Sequence, residues 1–332
     1  MNQLWSNVLK AIWSSSKDIV SRALFNNWSQ DQNTCQISSE NISIDTTGKY
    51  IIISDFEETN QKLLIKVYNQ GLELIKTVNW KLAHKNYDFE LSVSDSFIIV
   101  HELIMGTIFI LSLCTWTRVP IDFPCEIKRQ ALWDQTSLFL DFANNLSKIN
   151  LWTKETQLFK LESFIDATEI KCNEKHVIVY DSFFNKLYIY DLSDNDNITD
   201  CKKPVLELDT INMIDFEITY NSQVILMWNK DLSVEVSMHQ VGQEMIRLTT
   251  NKPIESSPNI LVNSDFCLIV FHEGTYSTYF FFKYCDLNHN ELSPYIKNVA
   301  NLNPKSWTLG VTKTSLVKIE RNTIECIKFW TC

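Results

Sequence analysis

From about residue 40 onward, the chain repeats one pattern of apolar and polar positions. A short run of branched and aromatic residues is followed by a turn rich in Asn, Asp or Gly, then by a second such run and a polar break. The clearest copy has its first run at His176–Asp181, its turn at 182–186 and its second run at 187–191. Runs of this composition are typical of β-strands, and the pair predicts a β-hairpin.

The hairpin pattern occurs seven times. Successive leading strands start 39 to 49 residues apart, and a four-stranded propeller blade has a period of about 40 to 50 residues. Each repeat also has room for an inner strand before the hairpin and an outer strand after it. The leading strands are expected to start near Tyr50, Phe97, Leu138, Val177, Val224, Cys267 and Leu316. The sequence therefore predicts an all-β fold, a seven-bladed β-propeller over residues 31–332.

The two ends of the repeat array suggest how the ring closes. The seventh repeat reaches Cys332 directly after its third strand, so its outer strand is missing. The segment 33–38, ahead of the first repeat, can supply that strand. Such a closure would hide two sheet edges that are otherwise exposed. The alternative is a β-sandwich or a two-domain β protein, which regular short strands also suit.

The third strand of several repeats ends in an aromatic residue. Examples are Trp152, the pair Tyr190-Asp191 and the pair Phe329-Trp330. In this feature, in its period and in its strand pattern, the chain resembles the WD-repeat propeller family, although the family's Gly-His pair is absent. The chain has only six glycines. We therefore expect Asn and Asp, which tolerate a left-handed backbone, to form the turns.

Residues 1–30 follow a different pattern, with apolar residues at intervals of three and four. This spacing predicts one apolar face on each of two short helices. Ser16 can cap the second helix, with Asp18 in its first turn. The apolar positions are Leu4, Val8, Leu9, Ile12 and Trp13 in the first helix, Ile19 and Val20 in the second, and Trp28 after it.

This segment resembles an F-box, with Ile12-Trp13 in place of the usual Ile-Phe pair and Trp28 ten residues past Asp18. It departs from the F-box pattern at Trp5, where a Pro is usual. The resemblance implies that the eight apolar residues bind a Skp-family linker, and that the propeller holds a protein substrate for a cullin ubiquitin ligase. The alternative is a propeller scaffold or interaction subunit of another assembly, with the helices as a structural cap.

Charge and apolar run lengths exclude some classes of partner. There are 40 acidic and 30 basic residues, a net charge of −10, which disfavours nucleic-acid binding. No apolar run approaches the roughly 20 residues of a membrane span, and the N-terminus lacks the apolar core of a signal peptide. The nine cysteines are scattered without paired spacing. We expect them to be reduced, in a cytoplasmic or nuclear protein.

No catalytic, cofactor-binding or metal-binding motif is apparent. The chain has no glycine-rich phosphate loop, no zinc-protease motif and no serine-nucleophile elbow. A propeller enzyme would need acids or histidines at equivalent inward positions in several repeats, and the leading strands show none. Trp116 and Trp152 are predicted to be core residues, whereas Trp80 and Trp133, assigned to loops, are candidate binding anchors. We expect a non-enzymatic binding protein.

Overall fold

The computed structural model describes most of the chain from residue 32 onward. The described ranges are 32–36, 42–57, 62–81, 89–103, 106–121, 126–162, 166–193, 201–219, 223–230, 233–240, 243–249, 259–262, 266–273, 276–283, 295–300, 309–311, 315–320 and 323–328. The predicted helical segment 1–30 and its eight predicted linker-binding residues lie outside them. In the described ranges every regular element is a β-strand, and no helix there is long and apolar enough to cross a bilayer.

The first four sheets follow the chain in order, apart from one short strand that joins the third sheet. The first contains β2 (Ile42–Thr46), β3 (Tyr50–Glu57), β4 (Lys62–Asn69) and β5 (Leu74–Lys81), and the second β6 (Phe89–Val93), β7 (Phe97–Glu102) and β8 (Thr107–Ser112). The third contains β9 (Ile127–Trp133), β10 (Thr136–Asp141), β11 (Asn145–Asn150), β12 (Thr156–Leu161) and β16 (Cys201–Lys202). The fourth contains β13 (Ala167–Cys172), β14 (His176–Asp181), β15 (Lys186–Asp191) and β17 (Leu206–Asp209).

Three further sheets complete the described part. The fifth contains β18 (Met213–Ile218), β19 (Gln223–Lys230), β20 (Ser233–Gln240) and β21 (Gln243–Thr249), and the sixth β22 (Asn259–Val262), β23 (Phe266–Glu273), β24 (Tyr276–Lys283) and β25 (Tyr295–Ala300). The seventh contains β26 (Leu309–Val311), β27 (Ser315–Glu320), β28 (Thr323–Lys328) and β1 (Gln32–Gln36). All strand pairs are antiparallel except β12 with β16. Each of the seven predicted hairpins is present as a strand pair.

The first strands of the seven sheets form a closed circuit. β2, β6, β9, β13, β18, β22 and β26 contact one another in that order, and β26 contacts β2. We call these the inner strands. The sheets therefore stand around a common axis, as in a propeller.

The core lies between neighbouring sheets, and second strands such as β7 and β14 contribute to two such layers. Val177 and Val179 on β14 pack against the third sheet, whereas Ile178 between them packs against the fifth. Phe97 packs towards the third sheet, and Ile98 packs towards the first. Because both faces of these strands are covered, their sequences are continuous apolar runs rather than alternating ones.

The seventh sheet takes its outer strand from the other end of the chain. β1 pairs with β28, with Gln32 opposite Ile327 and Gln36 opposite Thr323. This agrees with the strand predicted to close the array. A buried cluster also joins Ile51 and Ile53 of the first sheet to Val317 of the seventh. Apolar packing therefore continues between the seventh sheet and the first.

The backbone of the Asn turns is as predicted, whereas the positions of three tryptophans are not. Asn144 and Asn185 have positive φ angles of 63° and 52°, as expected of turns that use Asn in place of Gly. The loop assignment was wrong for Trp80, which lies within β5, and for Trp133, which ends β9. Both tryptophans pack against core clusters. Trp152, expected in the core, is in an exposed turn with its ring against Phe97.

Candidate functional site

Two features of the described surface have the polar or apolar character of a binding site. The first is a cavity of about 760 Å³ at one end of the central axis, lined by inner strands of the first five sheets. We call it the channel mouth. The second is a group of exposed aromatic residues on hairpin turns of the third and fourth sheets, which we call the aromatic tips. None of the eight residues predicted to bind a linker protein lies in the described ranges.

The channel mouth is strongly acidic. The described residues that line it include six carboxylates and one basic residue, Lys171. The six are Asp45, Glu90, Asp95, Asp134, Glu169 and Glu217. Such an excess in a concave site produces a negative potential that attracts cations.

Carboxylates recur at one place in the inner strands. In three inner strands an acidic residue lies four positions before the residue that follows the strand. These acids are Glu90 in β6, Glu169 in β13 and Asp215 in β18. The leading strands show no such repeated acid, and the repeat in the inner strands was not predicted from the sequence. It was missed because a single acid in each short polar strand does not stand out against the chain's general acidity.

Lys171 occupies one side of the mouth, between β13 and β18. Its ammonium lies 3.4 Å from Glu169 Oε1, 3.6 Å from Asp215 Oδ1 and 3.2 Å from Glu217 Oε2. It also donates a hydrogen bond to the carbonyl oxygen of Phe216 at 2.6 Å. Burial opposes the charge, but the carboxylates of Glu217, Asp215 and Glu169 outweigh it and raise the pKa of Lys171. Lys171 therefore joins two sheets as a cation.

The other side of the mouth, between β6 and β9, has unsatisfied acceptors. Gln130 on β9 donates from Nε2 to Ser92 Oγ at 2.9 Å, while its Oε1 has no hydrogen-bond partner. Glu90 Oε2 is also buried without a hydrogen bond, 3.8 Å from Nδ1 of the buried His101. Glu90 and Ser92 are two residues apart, so they lie on one face of β6. The two unsatisfied oxygens therefore face the same inter-sheet gap.

The turns that follow the inner strands hold neighbouring sheets together. The side chain that opens such a turn accepts backbone N–H groups two and three residues on, as Asn173 Oδ1 does from Lys175 and His176 at 2.9 and 2.8 Å. Asn173 Nδ2 then donates to the carbonyl oxygen of Thr219 at 3.0 Å. Ser94 repeats the arrangement and donates from Oγ to the Asp134 carbonyl oxygen at 2.6 Å. The rim of the mouth is therefore hydrogen-bonded from sheet to sheet.

The aromatic tips are presented by two similar turns at the far end of the sheets. Asp141 Oδ1 accepts hydrogen bonds from Ala143 and Asn145 N–H, both at 2.8 Å, and this turn carries Phe142. Asp181 Oδ1 accepts from Phe183 and Phe184 N–H at 2.9 and 3.2 Å. An aspartate that binds its own turn fixes the backbone. Both turns hold their aromatic residues outward.

A chain of polar contacts connects the two tips. Lys128 Nζ lies 5.9 Å from the centroid of the Phe142 ring and 2.9 Å from Asp166 Oδ1. Asp166 Oδ2 in turn accepts from Ser182 Oγ at 3.3 Å, next to Phe183. The hydrogen bond from Lys128 lowers the pKa of the Asp166 carboxyl, so this link is ionic. The tips therefore form one surface with a charged centre.

The described titratable groups around the mouth do not form a nucleophilic site. Lys171 is held as an ammonium, which is not a nucleophile. Burial raises the pKa of the Cys172 thiol to about 12, so the reactive thiolate is not populated at neutral pH. Among the described residues there is no group of three or more His, Cys, Asp or Glu side chains placed to hold a metal ion. This arrangement favours binding by charge.

Comparison with known proteins identifies the fold. No protein-family model matches the chain, and no curated protein does. Among solved structures, YCF48 bound to D1 peptide gives a TM-score of 0.56 at 9% identity, over 90% of this chain and 96% of that one. Hsv2 of Kluyveromyces lactis gives 0.55 at 11% identity, over 85% and 91%. A chain of the mitotic checkpoint complex gives 0.56 at 8% identity, over 90% and 95%. The described part of the chain has an all-β fold of the propeller type.

Proposed function

We propose that this chain is a non-enzymatic interaction protein, a seven-bladed propeller in which each of the seven sheets is one blade, and that it holds partner proteins within an assembly. The observation that carries the proposal is the surface formed by the aromatic tips. Phe142 is 64% exposed, Phe183 66% and Phe184 45%. Adjacent exposed aromatic residues on a folded surface are typical of protein-binding sites.

The rigidity of the tips supports this role. Asp141 is 6% exposed and Asp181 fully buried, and each fixes the backbone of its turn. The Phe183 and Phe184 rings also meet edge to face with centroids 5.1 Å apart. Side chains that are already ordered lose little conformational entropy when a partner covers them. Three exposed rings on two fixed turns therefore suit a stable protein contact better than mobile side chains would.

Site-specific photo-crosslinking tests where a partner binds. A photo-reactive phenylalanine analogue is placed at Phe183, and as a control at Leu74, which is 53% exposed on the outer strand of the first sheet. We expect a discrete protein adduct from the Phe183 position after irradiation in cells, and none from Leu74. Equal adducts from both positions, or none from Phe183, would contradict the proposal.

We also propose which assembly the protein belongs to. The apolar pattern of residues 1–28 supports an F-box-like segment that binds a Skp-family linker, with the propeller holding a protein substrate for a cullin ubiquitin ligase. The alternative is an interaction subunit of another assembly, in which the helices are a structural cap. Both operate by raising the local concentration of bound proteins. Binding to the purified linker distinguishes them.

We also propose that the protein works in the cytoplasm or the nucleus. Its cysteines are scattered along the sequence, and four whose side chains the structure describes, Cys114, Cys172, Cys201 and Cys326, are free thiols. Free thiols suit a reducing compartment. Fluorescence imaging of the tagged chain tests this placement, and accumulation in the secretory pathway would contradict it.

A further inference from the structure

We propose that the channel mouth binds a cationic side chain, the ammonium of a lysine or the guanidinium of an arginine, carried on a basic peptide segment of a partner. The site lies between β6 and β9, where Glu90 and Gln130 line the cavity. It is separate from the aromatic tips, which are at the opposite end of the sheets. This inference therefore does not depend on the function proposed above.

Negative charge remains at the mouth after the positive charge of Lys171 is counted. Lys171 is bound to Glu169, Asp215 and Glu217 on the β13–β18 side. The described lining offers no second basic residue to the carboxylates on the other side. That side is the one lined by β2, β6 and β9, and its acids are Asp45, Glu90, Asp95 and Asp134. A cation entering there is attracted by the carboxylates of Glu90, Asp95 and Asp134.

The hydrogen bonding of Gln130 supports a cationic ligand independently of the charge at the mouth. Gln130 is 1% exposed and lines the cavity, yet its amide oxygen has no hydrogen-bond partner. Buried polar atoms in folded proteins are nearly always hydrogen-bonded, and an exception calls for an explanation such as a missing ligand. Glu90 Oε2 is a second buried acceptor without a hydrogen bond in the same gap, 3.8 Å from His101 Nδ1. An ammonium or guanidinium group brings several N–H donors and no acceptor, which is what these two oxygens require.

The described lining of the mouth suits an organic cation better than a metal ion. No described residues form a cluster of three or more metal-ligating side chains, so the mouth lacks the convergent ligands that a divalent metal ion needs. The volume of about 760 Å³ is also far more than an ion requires and lies in the range of small-ligand pockets, about 300 to 1,000 Å³. An extended side chain with part of its backbone fits such a space.

The test is fluorescence anisotropy with labelled hexalysine and hexaarginine, measured on the full chain at physiological salt. We expect saturable binding of at least one peptide with one peptide per chain. Glu90→Gln should weaken it about tenfold, since each tenfold change in Kd corresponds to about 1.4 kcal/mol. Glu207→Gln is the matched control, because it makes the same chemical change on the exposed outer strand β17. It should alter Kd less than about twofold, because exposed charges contribute little.

A second variant guards against misfolding of the first. Asp134→Asn removes a rim carboxylate at a residue with a φ of 48°, a conformation that Asn tolerates. We expect it to weaken binding several-fold while the melting temperature stays that of the wild type. The proposal is overturned if neither peptide binds, if Glu90→Gln and Glu207→Gln have equal effects, or if millimolar Mg²⁺ displaces the peptide more strongly than the same ionic strength of NaCl.

Discussion

Asn173 provides a direct test of how neighbouring sheets are held together. Its side chain is 3% exposed, its Oδ1 accepts two backbone hydrogen bonds in its own turn, and its Nδ2 donates to the Thr219 carbonyl oxygen of the fifth sheet. Asn173→Ala removes all three. With a net contribution of about 1 kcal/mol for each hydrogen bond, the free energy of unfolding should fall by about 3 kcal/mol, and more if the Thr219 oxygen stays unpaired.

Two further variants make the experiment specific. Asn173→Ser keeps a turn acceptor, as Ser94 does at the equivalent position of the second sheet, and should lose less than about half of that stability. Asn79→Ala changes an exposed residue of the outer strand β5 and should cost under about 0.5 kcal/mol.

The assay is urea denaturation followed by tryptophan fluorescence, supported by thermal scans at a single rate. In a large domain 1 kcal/mol shifts the melting temperature by about 2–4 °C, so Asn173→Ala should lower it by about 6–12 °C. If Asn173→Ala is as stable as Asn79→Ala, the turn does not join the sheets. If Asn173→Ser is as unstable as Asn173→Ala, hydrogen bonding at the turn is not the reason.

The remaining predictions concern closure, the link between the tips, and the N-terminal segment. Deleting residues 31–38 removes the five-residue pairing of β1 with β28 and should cost about 3–5 kcal/mol at about 1 kcal/mol for each hydrogen bond; an unchanged melting temperature would refute closure by β1. Lys128→Met should raise the pKa of Asp166 measured by NMR, and Lys186→Met should not. Because that pKa is lowered in the folded state, the pair stabilises the protein above the unfolded value of about 3.9 and this contribution is lost as pH falls through the folded pKa. The full chain should bind a purified Skp-family linker, and a triple alanine variant should not; absence of binding by the folded wild type would leave the helices as a structural cap. The three positions changed to alanine are Leu9, Ile12 and Trp13.

The hairpins could be predicted from the sequence because the physical signal is strong. Strands such as β7 and β14 are buried on both faces, so each appears as an unbroken apolar run between polar turns. The same property distinguishes the fold from a sandwich with one face in solvent. The closing strand was predictable as well, because a strand-like segment precedes the first repeat and suits the open edge of the seventh.

Other features left no signal in residue type. The outer turns of the first three sheets use a left-handed backbone at Leu72, Trp116 and Lys154, with φ angles of 63°, 58° and 66°. Such residues rarely adopt this conformation. Each is fixed by hydrogen bonds within its own turn, as when Trp116 N–H donates to the Ser112 carbonyl oxygen at 2.9 Å. β16 follows β15 of the fourth sheet in sequence but pairs with β12 of the third, which strand patterns do not reveal.

The two candidate surfaces were harder to predict than the fold. The carboxylates of the channel mouth come from inner strands and turns far apart in sequence, and only the circuit of inner strands places residues such as Glu90, Glu169 and Glu217 around one cavity. The aromatic tips do have a local signal, an aspartate at the strand end followed by a phenylalanine within two residues, as in Asp141-Phe142 and Asp181-Ser182-Phe183. In a chain with 19 phenylalanines, exposure decides which of them matter.

The most direct test of the proposed function compares partner capture by three forms of the full chain. One is the wild type, one carries alanine at Phe142, Phe183 and Phe184, and one carries alanine at Leu74 and Ile75, which are exposed on β5. Quantitative mass spectrometry of proteins co-purified from the same cells should show a partner that the wild type and the β5 variant retain equally. The tip variant should lose that partner at least about tenfold, because truncating a few central aromatic residues removes most of the binding energy. Equal retention by all three forms would contradict the central claim that the aromatic tips bind the partner.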